Sequence, residues 1–330
     1  MDGPSTAPLP LTRASVQQAH RAIATLVHRT PLLSSTSLSH DAGYTLLFKA
    51  ENCNKSGSFK IRGATYSVAC LTDHERRRGV VTQSSGNHAA ALALVARDLD
   101  IPAHIVSPRT APAAKLAAVR AYGGNLTLCD PSIESREAAL ADVQRRTGAC
   151  YVPPSDAVNT MLGQGTVFLE VEEQAREGGW GKLGAIIAPV GGAGLLGGIA
   201  VAARGTGVRV FGAEPAGADD CVRGLAEGRR ITDFKPETIA DGLLTPVGEH
   251  NWPVVQQDVE KVMTVTDEEI LDAQRLLWQR LKTVVEPSGA VAFALARSAK
   301  FRELRVEGPV CVVLSGGNVD LDVPPPWVKA

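Results

Sequence analysis

Residues 185–203, AIIAPVGGAGLLGGIAVAA, run 19 residues without a charge, and how they are read decides the fold. An apolar run of about 20 residues is long enough to cross a bilayer. This one is interrupted by Pro189 and by glycines at 191, 192, 194, 197 and 198. It divides into an apolar strand, a glycine loop and a helix, which excludes a membrane span. The same rhythm recurs on both sides. Short apolar runs at 45–49, 79–82, 103–106, 125–128, 208–213 and 310–314 alternate with helix-like stretches. Those stretches are 58–70, 87–98, 112–122, 132–147, 163–176, 195–203, 267–282 and 288–298. Strands alternating with helices of this length predict βαβ units and an α/β fold with mostly parallel sheets.

Composition narrows the function classes. The 330 residues hold 34 Lys plus Arg against 35 Asp plus Glu, a net charge of −1, which argues against a nucleic-acid or anionic-membrane partner. Hydrophobic residues at 44% with 21% charged exclude a disordered chain. Six scattered cysteines form no Cys-x-x-Cys pair, and residues 1–16 show no basic region leading to an apolar one. A cytoplasmic protein is expected. The character of the chain breaks at 71–78 (LTDHERRR) and at 152–156 (VPPSD). These breaks predict a small domain, 72–155, inserted into a large one made of 1–71 plus 156–330. Thr266 followed by three acids predicts a helix start, and Pro324-Pro325-Pro326 an extended tail.

Five short segments carry the chemistry. In Ser56-Gly57-Ser58-Phe59-Lys60-Ile61-Arg62-Gly63-Ala64, a lysine follows a Gly-Ser loop and opens a helix. A lysine in apolar surroundings usually snorkels, but a desolvated one has a lowered pKa and can serve as a nucleophile. Ser84-Ser85-Gly86-Asn87-His88 stands at a strand–loop–helix junction, where N–H groups face outward. Simple capping would explain Ser and Asn there, although four polar side chains exceed what one cap uses. Gly191-Gly192-Ala193-Gly194 opens the helix of the central stretch. No Lys-Ser/Thr follows it, and no ribose-binding acid stands about 20 residues on, so a single phosphate suits it best, with tight helix–strand packing as the alternative. Leu314-Ser315-Gly316-Gly317-Asn318 ends a strand, where ligands bind in open α/β sheets. Finally, Glu214 and Asp220 with main-chain carbonyls between them suit a hard divalent cation, although on spacing alone a solvated acidic turn is the better account.

Taken together and in this order, the segments resemble the fold-type II pyridoxal-phosphate enzymes, in their serine/threonine dehydratase and serine racemase branch. The resemblance runs from about Thr30 to Val328. It implies a tryptophan synthase β-like fold, two open α/β domains with the cofactor in the cleft between them. Within the branch, Glu134-Ser135-Arg136-Glu137, Ala218-Asp219-Asp220, 239–242, 265–270 and Trp327-Val328-Lys329 point to the serine racemases. By this resemblance Lys60 holds pyridoxal 5'-phosphate as a Schiff base and moves a proton on one face. Ser85 is the acid/base on the other. Phe59, Asn87, the loop Gly191, Gly192, Ala193, Gly194, Ser315 and Ser155 contact the cofactor. Ser84, Ser85, His88, Arg136 and Thr245 line the substrate site. Glu214, the Ala218 carbonyl and Asp220 hold Mg²⁺, Ca²⁺ or Mn²⁺.

The implied activity is racemisation of serine with β-elimination of L-serine to pyruvate and ammonia, by a homodimer acting on a small amino acid. The alternative is a threonine/serine or threo-3-hydroxyaspartate dehydratase with little racemase activity. A non-catalytic ligand sensor is the reading from another class, and the retained Lys60 argues against it. The chain departs from the pattern in three places. Ala89-Ala90 replace the Gly-Gln of animal members, whose Gln contributes to an ATP site. Ser35, Thr36, Ser37, Lys55, Ser56, Tyr122, Lys282 and Asn318 match other nucleotide positions, so ATP stands as an effector in question. Ser155 stands where Asn or Phe is common, and Asn52-Cys53-Asn54 differs from the usual run.

Overall fold

A computed structural model describes residues 10–325 and 327. The expectations for residues 1–9, Pro326, Val328 and Lys329 lie outside that range. Among the described residues, ten strands form two sheets. The larger contains β1 (Leu32–Ser34), β2 (Leu46–Ala50), β7 (Ala185–Pro189), β8 (Arg209–Pro215), β9 (Lys261–Val265) and β10 (Val310–Leu314), in the order β1-β2-β10-β7-β8-β9. Only β1 runs antiparallel. The smaller, all-parallel sheet contains β3 (Val80–Gln83), β4 (Ala103–Pro108), β5 (Asn125–Cys129) and β6 (Cys150–Tyr151), in the order β5-β4-β3-β6.

Helices cover both faces of the larger sheet, which is why its strands read as unbroken apolar runs rather than alternating ones. The two-residue period still sorts the side chains. Leu47, Cys311 and Val313 enter one core cluster, while Leu46, Phe48, Val310, Val312 and Leu314 enter the other. Because the strands are parallel, β2, β7, β8, β9 and β10 all end at one edge. Four of the five segments singled out above lie there, after β2, β7, β8 and β10, and the fifth, Ser84–His88, follows β3 of the smaller sheet.

The central stretch is a buried strand, a glycine turn and the helix Gly194–Ala203. Among the described residues no helix is long and apolar enough to cross a membrane. One element was not foreseen and one expectation needs correction. Within 71–78, Thr72 and Glu75 close a capping box on a short helix, Asp73–Arg78. None of its residues is buried, so no apolar periodicity announced it. The helix expected over 267–282 starts at its Thr266 capping box but stays α only to Leu276. A π turn, Leu277–Leu281, follows, and Lys282 at φ 59° ends it.

Candidate active site

Lys60 is the first residue of the helix Lys60–Ala69, and the turn before it is unusual. Ser56 and Gly57 take left-handed φ values of 60° and 72°. A Cβ on Gly57 would lie 2.2 Å from the Asn318 Oδ1, so only glycine fits. Hydrogen bonds then join this turn to the end of β10. The Phe59 N–H donates to the Ser315 carbonyl at 3.0 Å, and the Gly317 N–H to the Gly57 carbonyl at 2.9 Å. The Asn318 amide donates to the Ser56 carbonyl and to Asn87 Oδ1, both at 2.8 Å. The Lys60 ammonium does not snorkel. It donates to the Pro154 carbonyl at 2.7 Å, and burial pushes its pKa down to about 8, opposed only in part by Glu286. The Phe59 ring centroid lies 5.0 Å from Nζ.

The next residue, Ser155, meets the glycine loop. A Cβ on Gly192 would lie 2.3 Å from Ser155 Oγ, and one on Gly194 would lie 2.8 Å from the Ser155 carbonyl oxygen. Ala193 at φ 62° turns the chain into the helix that follows. The Asn251 side chain, fully buried, donates to the carbonyls of Gly192 at 2.5 Å and Ser155 at 3.2 Å. Four residues further on, a Cβ on Gly198 would strike the Met161 carbonyl at 2.3 Å. The packing account holds for Gly198, which permits helix–helix contact, while Gly192 and Gly194 leave no room for a side chain against Ser155. Lys60 and this glycine turn meet on the two consecutive residues Pro154 and Ser155.

The Ser84–His88 segment starts the helix Asn87–Asp98. Capping does not explain its serines, because the N-cap is Gly86 and no side chain bonds the first turn. Ser84 Oγ accepts only a long 3.4 Å bond from the Gly86 N–H. His88 is buried, its Nε2 lies 3.0 Å from the Val152 carbonyl, and burial beside Lys60 pushes its pKa down to about 3. It is neutral at any working pH. Ser315 is buried at the tip of β10, with its hydroxyl 3.4 Å from the Ser288 carbonyl.

Two expected residues make none of these bonds, and one unexpected residue joins the group. Arg136 lies in the first turns of the helix Ile133–Thr147, its Nε buried without a protein partner. Thr245 is exposed on the loop after Leu243. Glu286 was not foreseen. It is 3% exposed and accepts from the Asn87 amide at 2.6 Å, and burial, with Asp241 nearby, pushes its pKa up to about 7. Its signal was Pro287, which starts the helix Pro287–Arg297 and so places Glu286 at the cap.

Glu214 and Asp220 are not a solvated turn, since both are buried. Glu214 accepts from the N–H groups of Cys221 and Val222 at 2.9 Å, and Asp220 from that of Val247 at 2.9 Å. Burial, together with neighbouring carboxylates, pushes Glu214 up to about 8 and Asp220 up to about 6. Ala218 is buried between them in sequence. Among the described residues no three His, Cys, Asp or Glu side chains converge, so a cation here would draw on carbonyl oxygens and water. Of the nucleotide positions, Ser56, Tyr122 and Asn318 line one cavity of about 640 Å³, with Asn87 and Glu286. Ser35, Thr36, Ser37, Lys55 and Lys282 are not among its lining residues. A separate cavity of about 1260 Å³ near Arg13 and Glu172 holds none of the site residues.

The sequence over residues 23–316 matches the family model described as pyridoxal-phosphate dependent enzyme. The chain belongs to that family. It is 46% identical over 314 residues to the serine racemase of Oryza sativa subsp. indica, covering 94% of this chain and 91% of that one. It is 43% identical over 306 residues to the beta-hydroxyaspartate dehydratase of Paracoccus denitrificans, covering 92% and 95%. The structure of maize serine racemase superposes with a TM-score of 0.91 at 45% identity, covering 94% of each chain.

The residues present suit the family's cofactor. Its aldehyde needs an amine that is neutral for part of the time, and Lys60 at about 8 supplies one. Its phosphate needs backbone N–H groups with no side chain in the way, which the turn at 191–194 ahead of a helix provides. The Ser58 hydroxyl, in the lysine turn and bridged to Gly316, is buried without a protein partner. Pyridoxal phosphate, when bound, withdraws electrons from the substrate amino acid and makes its Cα proton removable.

Proposed function

We propose that the protein interconverts L- and D-serine and also dehydrates L-serine to pyruvate and ammonia. The observation that carries this reading is the meeting of the Lys60 amine and the Gly191–Gly194 turn on Pro154 and Ser155. These are the two attachments the cofactor uses, held by adjacent residues. The likeness to serine racemases across nearly the whole chain supports serine as the substrate. The likeness to a dehydratase supports elimination as a second outcome of the same proton removal.

In this reading Lys60 takes and returns the Cα proton on one side. Ser85, free of capping duty, does so on the other. Phe59, Asn87 and Ser315 hold the ring, and Ser155 braces the phosphate turn. Ser84, His88, Arg136 and Thr245 receive the substrate. Because His88 is neutral, it offers a hydrogen bond but no charge. Arg136, with its unpartnered Nε, is then the cation for a carboxylate. Glu214, the Ala218 carbonyl and Asp220 hold a divalent cation. The same reading divides the chain into 72–155 and the remainder and takes ATP as a candidate effector at the Ser56–Tyr122–Asn318 cavity. It places a homodimer in the cytoplasm, where six free cysteines suit a reducing compartment.

Chiral analysis of products from L- and D-serine, with Ser85→Ala beside the parent, tests the reading. Ser85→Ala should keep pyruvate formation from L-serine and lose racemisation and D-serine elimination by about 10²–10⁴-fold. Parent-rate racemisation by the variant would overturn the two-sided mechanism. A parent that dehydrates threo-3-hydroxyaspartate or threonine but does not racemise serine would establish the dehydratase instead.

A further inference from the structure

Beneath the lysine turn lies a charged group sealed from solvent. Arg62, Glu51 and Lys49 are fully buried, and Glu170 is 2% exposed. The Arg62 guanidinium forks onto both carboxylates. Nε and Nη2 donate to Glu51 at 2.7 and 2.8 Å, and Nη1 and Nη2 donate to Glu170 at 2.7 Å each. The fifth donor reaches Thr166 Oγ1 at 3.2 Å. Lys49 is equally complete, donating to Glu170, Gln174 and the Thr30 carbonyl at 2.6–2.8 Å. Two cations meet two anions, and no charge is left over.

Ion pairs buried this deeply are poor devices for stability alone, because the desolvation of each partner offsets most of their attraction. Their position suggests another use. Glu51 follows β2 and Arg62 sits in the first turn of the next helix, so the bidentate pair ties together the two ends of the turn that presents Phe59 and Lys60. Lys60 and Arg62 are two positions apart on a helix, hence about 200° apart around its axis. Lys60 points to Pro154 in the cleft, and Arg62 points the opposite way into the core. Gripping Arg62 from two sides therefore fixes the rotation of that helix and, with it, the direction of the amine. Close contact of the same helix with its neighbour adds to this, since a Cβ on Gly163 would lie 2.7 Å from the Gly63 Cα.

We propose that Arg62, Glu51 and Glu170, with Lys49, act as positioning residues that aim Lys60. The proposal rests on Lys60 being the amine that takes the cofactor. Borohydride reduction of the parent holoenzyme and peptide mapping checks that premise separately: a reduced pyridoxyl adduct anywhere but Lys60 would defeat the premise, not the clamp.

The clamp itself is tested with Glu51→Gln/Arg62→Met, which keeps the group neutral by leaving Lys49 paired with Glu170, and with Arg62→Lys, which keeps the charge but not the fork. Cofactor capture by the apoprotein is followed by stopped-flow absorbance. Misplacing a reacting group by about 1 Å can cost about 10²-fold, so capture and kcat should fall at least about tenfold in both variants, with KM within about threefold. Phe293→Leu in the other core cluster serves as a control that lowers Tm without touching the turn; it should capture cofactor at the parent rate. If either Arg62 variant folds and captures at the parent rate, the proposal fails. It fails equally if Phe293→Leu slows capture as much, since lost stability would then be the cause. Should neither Arg62 variant fold, Glu51→Gln alone, close to isosteric, is read in the same way.

Discussion

Three glycines in one helix should respond to the same substitution in three different ways. Gly194, Gly197 and Gly198 all lie in Gly194–Ala203. At Gly194 an alanine Cβ would come within 2.8 Å of the Ser155 carbonyl oxygen and 3.2 Å of its Cα. Ordinary contact begins near 3.4 Å, so either Ser155 or the phosphate turn must move by about 0.6 Å. Overpacking of this order costs about 1–3 kcal/mol, and neither neighbour can yield without disturbing the cradle. If that cost falls on the bound state, cofactor affinity drops roughly 5- to 150-fold, at about 1.4 kcal/mol per decade. At Gly197 the nearest atoms are the Met161 sulfur and Cγ at 3.4 and 3.6 Å, both on a flexible side chain. Alanine there should leave affinity unchanged and add about 0.5–1 kcal/mol of stability through helix propensity. At Gly198 the Cβ would lie 2.3 Å from the Met161 carbonyl and 2.6 Å from the Gly165 nitrogen, all backbone. That variant should lose stability beyond the ordinary range for a point change. Fluorescence titration of each apoprotein with pyridoxal phosphate, beside thermal melts, separates the three. Parental affinity in Gly194→Ala, or a loss in Gly197→Ala as large, would refute the division of this helix into cradle and packing residues.

Further outcomes follow from the titratable groups. Cofactor capture needs the neutral Lys60 amine, so its rate should rise with pH through about 8 and then level, as stopped-flow mixing across pH 6–10 would show; a rate still climbing steadily at pH 10 would mean Lys60 is not desolvated. Lys60→Ala should abolish the trapped lysine adduct and all turnover. Glu214 and Asp220 have raised pKa values, so their protonated forms favour the folded state below the ordinary carboxylate range. That contribution is lost as pH rises through about 6 and about 8. A divalent cation would stand in for the protons over the same window. Chelator should thus lower Tm little near pH 5 and more by pH 8.5, and Asp220→Asn should remove the difference. A Tm indifferent to chelator at both pH values would speak against a cation.

The layered α/β architecture was legible because buried parallel strands announce themselves as apolar runs such as 185–190 and 310–314, and because their loops carry the glycines and serines. Elements whose signal is charge or brevity were not legible. The Asp73–Arg78 helix buries nothing, and β1 and β6 are three and two residues long. The site divides the same way. Lys60, Asn87, Gly192, Gly194 and Ser315 lie on contiguous motifs, and the structure brings those motifs together through bonds such as Phe59 to Ser315 and Asn318 to Asn87. Glu286 and Glu170 belong to no such run. Each looks like an ordinary surface acid in the sequence. What makes them consequential is burial: it lifts Glu286 to about 7 beside Asn87 and pairs Glu170 with Arg62, 108 positions away. An isolated carboxylate becomes significant only through the cation or amide it meets, and that partner is chosen by the packing of two helices, not by spacing along the chain. The lysine turn shows both halves of this at once, its outward residues readable as a motif and the buried fork beneath it visible only once Glu51 and Glu170 are folded against Arg62.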